Sequence, residues 1–146
     1  MRALGIDLGS KRIGVALSDS DGRLATPYEV VARSGDRTRD HREISRLAEE
    51  AGAECLVVGL PLMLDGSRGA AADAAVAEAE EMSRAAGLPV ELWDERLTTV
   101  TADRTLISAN MKAPARRKVV DMVAASVMLQ AWLDHRRTTL PPPTDD

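Results

Sequence analysis

Leu4-Gly5-Ile6-Asp7-Leu8-Gly9-Ser10, followed by Lys11-Arg12 and then Ile13-Gly14-Val15-Ala16-Leu17-Ser18, is the stretch that decides the fold. Side chains alternate across a strand, so Leu4, Ile6 and Leu8 share one face and Gly5, Asp7 and Gly9 the other. The second run repeats the asymmetry, with Ile13, Val15 and Leu17 opposed to Gly14, Ala16 and Ser18. A turn at Gly9-Ser10-Lys11-Arg12 joins residues 3–9 to 12–19 as a hairpin. The hairpin has one apolar face and one face of small residues around a lone acid. A buried carboxylate is costly unless something pairs with it. The bare glycines leave room for a metal ion, a phosphate or a sugar-phosphate backbone beside Asp7.

Outward from the hairpin, Asp19-Ser20-Asp21-Gly22 is a turn and residues 23–33 are a third strand. Pro27 lacks a ladder donor, which predicts an edge or bulged strand. Ile44, Leu47, Ala48 and Ala51 fall at helical spacing within 38–51, and Gly52 is a suitable stop. The unbroken apolar run from Cys55 to Leu60 suits a strand covered on both faces. A loop through Pro61 and Gly66 leads to an alanine-rich helix over 68–86. Val90 to Asp94 is a short strand and Thr98 to Ser108 a helix. Asn110 to Ala115 is a polar connection, and a last helix starts at Pro114 and runs to Arg137. Its apolar stripe reads Val120, Val123, Ala124, Val127 and Ala131, with Trp132 alongside. Three antiparallel strands followed by alternating helices and strands predict an α/β domain, a mixed five-stranded sheet with helices on both faces. One domain spans 1–137, and 138–146 is a disordered Pro/Asp tail.

The 146 residues suit a single core, which must be aliphatic because the chain has no Phe. Scarce aromatics argue against a base-stacking platform. No apolar run is long enough for a membrane span, and the chain opens directly into a strand pattern without a signal peptide. The single cysteine, Cys55, lies in an apolar run and reads as a buried thiol in a reducing, cytoplasmic setting. The net charge of −4 speaks against nucleic acid, but basic residues cluster at Lys11-Arg12, Arg33 to Arg46 and Lys112 to Lys118. The local field matters more to a partner than the total.

Three acidic positions break local expectation: Asp7, Asp94-Glu95 at the end of a strand, and Asp121 among apolar helix residues. Ordinary explanations exist for two of them. Glu95 can pair with Arg96 or cap the next helix, and Asp121 can pair with Lys118 or Arg117. If the acids instead converge, two unit charges about 4 Å apart repel by roughly 4 kcal/mol at an effective dielectric of about 20. A hard divalent cation, Mg²⁺ or Mn²⁺, relieves this with oxygen ligands. With only His41 and His135 there is no zinc-type cluster.

Four stretches occur in order: residues 5–16, Gly59-Leu60-Pro61-Leu62 with Asp65-Gly66, Asp94-Glu95-Arg96-Leu97-Thr98-Thr99, and Lys118-Val119-Val120-Asp121 with Ala124-Ala125. Together they resemble the YqgF (RuvX-type) family of Holliday-junction resolvases and pre-16S rRNA nucleases. The resemblance spans nearly the whole chain except the tail. It implies an RNase H-like fold and metal-dependent hydrolysis of structured nucleic acid. Asp7, Glu95 and Asp121 would be the catalytic, metal-binding acids, with Mg²⁺ or Mn²⁺ as cofactor. Lys11, Arg12, Arg96 and Lys118 match the family's basic positions and, together with Arg116 and Arg117 from the same basic cluster, would bind the nucleic acid. The partners implied are precursor rRNA or a four-way DNA junction, and the ribosome, with the chain a monomer or homodimer. The family loop often reads Gly-Leu-Pro-Leu-Asn-Met-Asp-Gly; Met63-Leu64 replace Asn-Met here and remove a polar group at position 63. The alternatives are a non-catalytic RNA- or ribosome-binding module of the same fold and a fragment of an actin-like ATPase, whose phosphate loop also reads Asp-x-Gly-Ser/Thr.

Overall fold

The structure, a computed structural model, describes residues 1–98 and 113–139, and the side chains of 1–98 and 119–138. The expected helix at Thr98 to Ser108 lies outside the described residues beyond Thr98, as does the tail from residue 140.

Strands β1 (Ala3–Leu8), β2 (Arg12–Ser18) and β3 (Ala25–Ala32) form an antiparallel meander. Helix α1 (Arg37–Ala51) leads to β4 (Cys55–Leu60), α2 (Ala70–Ala86) leads to β5 (Val90–Asp94), and α3 spans Ala113–Thr139. The sheet order is β3-β2-β1-β4-β5, with β4 parallel to both β1 and β5. The mixed five-stranded sheet predicted from the sequence is therefore the observed one. Pro27 lies on the edge strand, where Val15 faces Glu29 but Ala16 faces Pro27, leaving Tyr28 as the extra residue of a bulge.

Each face of the sheet buries its own core. Leu4, Ile6, Ile13 and Val15 pack with Leu56 and Val58 against Ile44, Leu47 and Ala48 of α1 and Ala79 and Met82 of α2. Ala3, Ala16, Cys55, Val57 and Trp93 pack against Ala125, Met128, Leu129, Trp132 and Leu133 of α3. Burial raises the Cys55 thiol above its ordinary value, with the Glu91 charge adding to the effect. Asp36 caps α1 by accepting from the Thr38 and Arg39 amides, and Gly52 closes it in the left-handed conformation.

Helix α3 departs from the sequence expectation in three ways, one being that it runs to Thr139, two residues into the span expected to be a disordered tail. It begins at Ala113 rather than Pro114, so part of the expected connection is helix. Pro114 sits in the first turn, where a missing N–H costs nothing. Its buried stripe is centred on Ala125, Met128, Leu129 and Trp132, with Val120, Val123, Val127 and Ala131 only half buried. The cause is the bare face of the hairpin. A Cβ on Gly5 would stand 2.8 Å from the Leu129 Cβ, and a Cβ on Gly14 would stand 2.1 Å from the Asp121 carbonyl oxygen. The helix settles into the groove that the glycines leave, and that contact sets its rotation. Asp121, one turn before Ala125 and two before Leu129, lies on the same packed stripe.

Candidate active site at the carboxyl ends of the central strands

Asp7 is buried, with 7% of its surface exposed, and lies directly across from Gly14 in the β1–β2 register. On its other side β4 runs parallel, and continuing the register past Ile6 and Val58 brings Gly59 beside Asp7. The acid thus stands between two glycines on adjacent strands. Each glycine admits a second acid-bearing element. The backbone of α3 at Asp121 rests on Gly14, and the Glu95 carboxylate occupies the space of a Gly59 side chain, its Oε1 2.4 Å from where a Cβ would be. Asp7 and Glu95 line one cavity of about 340 Å³, together with Gly9, Ser10, Arg33, Pro61 and Glu78 among others. It opens at the carboxyl end of the parallel pair β1 and β4, where open α/β sheets bind ligands.

The structure separates Asp94 from Glu95. Asp94 accepts from the Arg96 amide at 3.0 Å, capping the 3-10 turn Glu95–Leu97, and it pairs with the Arg96 guanidinium at 2.7 Å. Arg96 holds the Asp94 carboxyl below the usual carboxylate range. Arg96, one of the two partners considered for Glu95, is therefore taken by its neighbour, and Glu95 lines the cavity; the helix that Glu95 was expected to cap lies outside the described residues. Arg96 also donates to the Leu64 carbonyl at 3.3 Å, tying this turn to the loop after β4. Trp93 Nε1 donates to Thr98 Oγ1 at 2.7 Å and closes the turn from the other side.

Asp121 forms an ion pair with Arg12, Nε to Oδ2 2.6 Å. Among the described residues no three His, Cys, Asp or Glu side chains stand close enough together to hold a metal ion. The donor chemistry nonetheless suits a hard cation: the carboxylates of Asp7 and Glu95 share the cavity, and Asp121 sits one strand away on the same face. Lys11 is exposed at the hairpin turn, while the side chains of Arg116, Arg117 and Lys118 lie outside those described.

Sequence reasoning missed a second charged group on the cavity wall. Arg33 forks onto Glu78, Nη1 to Oε2 2.5 Å and Nη2 to Oε1 3.0 Å, and its Nε donates to the Gly9 carbonyl at 3.0 Å. His41 Nε2 lies 2.8 Å from Glu78 Oε2, and Arg37 lies 3.6 Å from the same oxygen. Burial pushes the Glu78 carboxyl up, but its hydrogen bonds with Arg33 and His41 and the charges of Arg33 and Arg37 outweigh this. The net position is below the ordinary range. The group links α1, α2 and the turn that follows Asp7. Its signal was present in the phase of α2: Ala72, Ala75, Ala79 and Met82 are buried, and Glu78 falls on their stripe. In the sequence Glu78 stands with Glu80 and Glu81 in an acidic cluster, a pattern that ordinarily marks a solvated face.

Residues 1–135 match the family described as RuvX, Holliday junction resolvase. The chain belongs to the RuvX family. Among its relatives, a Leifsonia xyli protein named "Putative pre-16S rRNA nuclease" is 49% identical over 140 residues, 96% of this chain and 90% of that protein. A Myxococcus xanthus protein with the same name is 45% identical over 145 residues, 99% of this chain and 93% of that protein. The structure of RuvC from T. thermophilus in complex with a Holliday junction substrate superposes with a TM-score of 0.60, covering 98% of this chain and 99% of that one at 18% identity. This RuvX-family chain thus has the RNase H-like fold. Among its described residues, no helix is long and apolar enough to cross a membrane.

Proposed function

We propose that this RuvX-family chain is a divalent-metal-dependent nuclease that hydrolyses phosphodiester bonds of structured nucleic acid. The first candidate substrate is precursor 16S rRNA, for which its relatives are named, with cleavage at its 5′ region; the second is a four-way DNA junction. One observation carries the reading. Buried Asp7 stands between two glycines, and the space over one of them is filled by the carboxylate of Glu95. The two glycines let α3 and the Glu95 turn close in beside Asp7, which gathers acids at the end of the sheet where open α/β sheets bind ligands.

Asp7, Glu95 and Asp121 are the residues that would hold the metal. When bound, Mg²⁺ or Mn²⁺ neutralises phosphate charge and lowers the pKa of water. The chain supplies orientation. The α3–Gly14 contact sets the height of Asp121 above the sheet, and the Asp94–Arg96 pair holds the turn that aims Glu95. Lys11, Arg12, Arg116, Arg117 and Lys118 would grip backbone phosphates, which position a substrate without reading its sequence. Arg96, already paired with Asp94, acts first on the turn and only through it on the substrate.

The test is a parallel cleavage assay with Mg²⁺ or Mn²⁺, comparing wild type with Asp7→Asn. The substrates are a mobile four-way DNA junction and an RNA carrying the 5′ leader of precursor 16S rRNA. Asp7-dependent trimming of the RNA alone selects the processing nuclease, and Asp7-dependent symmetric nicks in the junction select a dimeric resolvase. The engagement of Asp121 by Arg12 favours one other reading, a binding module without cleavage. Tight binding of either substrate with no cutting of both selects it.

A further inference from the structure

The Arg12–Asp121 pair joins two residues that the nuclease reading sends to different ligands, one to phosphate and the other to metal. We propose that Arg12 is a latch: it withholds Asp121 from the metal until a phosphodiester takes the guanidinium, so that substrate arrival completes the acid set. The proposal rests on the nuclease reading above.

Arg12 opens β2 at the hairpin turn, and Asp121 lies on α3 where that helix crosses Gly14. Their side chains are 29% and 20% exposed, so the pair is within reach of a ligand in solution. The backbones beneath are fixed. The Arg12 carbonyl accepts from the Gly9 amide at 3.0 Å, and the Asp121 carbonyl lies against Gly14. Exchange of partners therefore requires side-chain rotation only. The guanidinium carries five donors in a fork that suits phosphate as well as carboxylate. An Asp121 carboxylate held by this cation is a poorer metal ligand, because the cation already balances its charge. Metal and Arg12 then compete for Asp121, while phosphate and Asp121 compete for Arg12. Two competitions through one pair make phosphate and metal help each other, and the coupling must be reciprocal.

Mn²⁺ affinity of the full chain, read from the spin-resonance signal of free Mn²⁺, tests the first competition. Arg12→Gln keeps the aliphatic stem and should bind Mn²⁺ at least about 5-fold more tightly than wild type. The gain should vanish when Asp121→Asn is added. Arg12→Lys keeps a cation beside Asp121 and should bind Mn²⁺ as wild type does, which separates loss of charge from disturbance of the turn. Binding of the four-way junction in EDTA tests the second competition. Asp121→Asn should bind more tightly, with a salt slope steeper by about one, and only while Arg12 is present. Equal or weaker Mn²⁺ binding by Arg12→Gln, with binding still abolished by Asp7→Asn, overturns the latch and leaves the metal centre standing. Mn²⁺ binding that is absent, or indifferent to Asp7→Asn, overturns the metal centre and the latch with it.

Discussion

At the scale of single residues, Gly59 and Glu95 show how a missing side chain can carry function. A methyl group on residue 59 would meet the Glu95 carboxylate oxygen at 2.4 Å, and the flexible carboxylate would yield before the strand did. Gly59→Ala should therefore fold with a near-normal melting temperature yet lose about 100-fold in cleavage rate, since misplacing a reacting group by about 1 Å costs that much. Parallel melts and cleavage rates check this; an unchanged rate would remove Glu95 from the site. Asp94 makes the complementary point. It and Glu95 are carboxylates adjacent in sequence, but Asp94 is committed to Arg96 and to capping a turn. Only the fold tells the two apart.

At the scale of elements, the seat of α3 on the hairpin is the decisive joint. Gly14→Ala would drive a methyl group into the Asp121 carbonyl, which is backbone and cannot rotate away. The expected cost is about 1–3 kcal/mol of stability from overpacking, together with loss of cleavage as Asp121 is lifted. Chemical denaturation measures the first, and the assay above the second. The first turns of the same helix carry Arg116 and Arg117. Changing both to Ala should weaken binding of the RNA or the junction and reduce its salt dependence, by about two in slope if each meets a phosphate. An unchanged slope would make them solvated surface. The other basic stretch, Arg33 to Arg46, divides by element. Arg33 and Arg37 reach Glu78, whereas Arg46 lies along exposed α1 between Glu43 and Glu50. Such exposed pairs contribute little to stability.

At the scale of the whole molecule, Glu78 connects the cavity wall to stability. It is buried and has Arg33, His41 and Arg37 as partners across three segments. Glu78→Gln should destabilise the protein by about 3 kcal/mol at neutral pH, because Arg33 is left without its counter-charge. The wild-type carboxylate keeps its charge to lower pH when folded than when unfolded. Its contribution is therefore complete above about pH 4.3 and is lost as pH falls through the lower folded value. Melting temperature should drop on acidification through that range, and the drop should be shallower in Glu78→Gln. Melts across the acid limb check both. Arg33 also holds the Gly9 carbonyl, so the same change should loosen the turn after Asp7 and reduce cleavage.

What the sequence determined by itself was the pattern with a short period. Alternation around Asp7 predicted the two faces of the hairpin, the unbroken apolar run Cys55 to Leu60 predicted a covered strand, and the four ordered motifs pointed to the family. These are local signals, and each is written within a few residues of the group it describes. Tertiary structure decided every matter that depends on which surfaces meet. The rotation of α3 follows from Gly5 and Gly14 on distant strands, so its stripe could not be phased from its own residues. Arg12 and Asp121 are 109 positions apart, and no pattern in either segment predicts their pairing. Glu78 appeared as one of an acidic cluster until α2 turned it inward against Arg33, 45 positions away. Periodicity shows which face of an element is buried; only packing shows which charge stands opposite, because a long-range ion pair depends on where two elements meet.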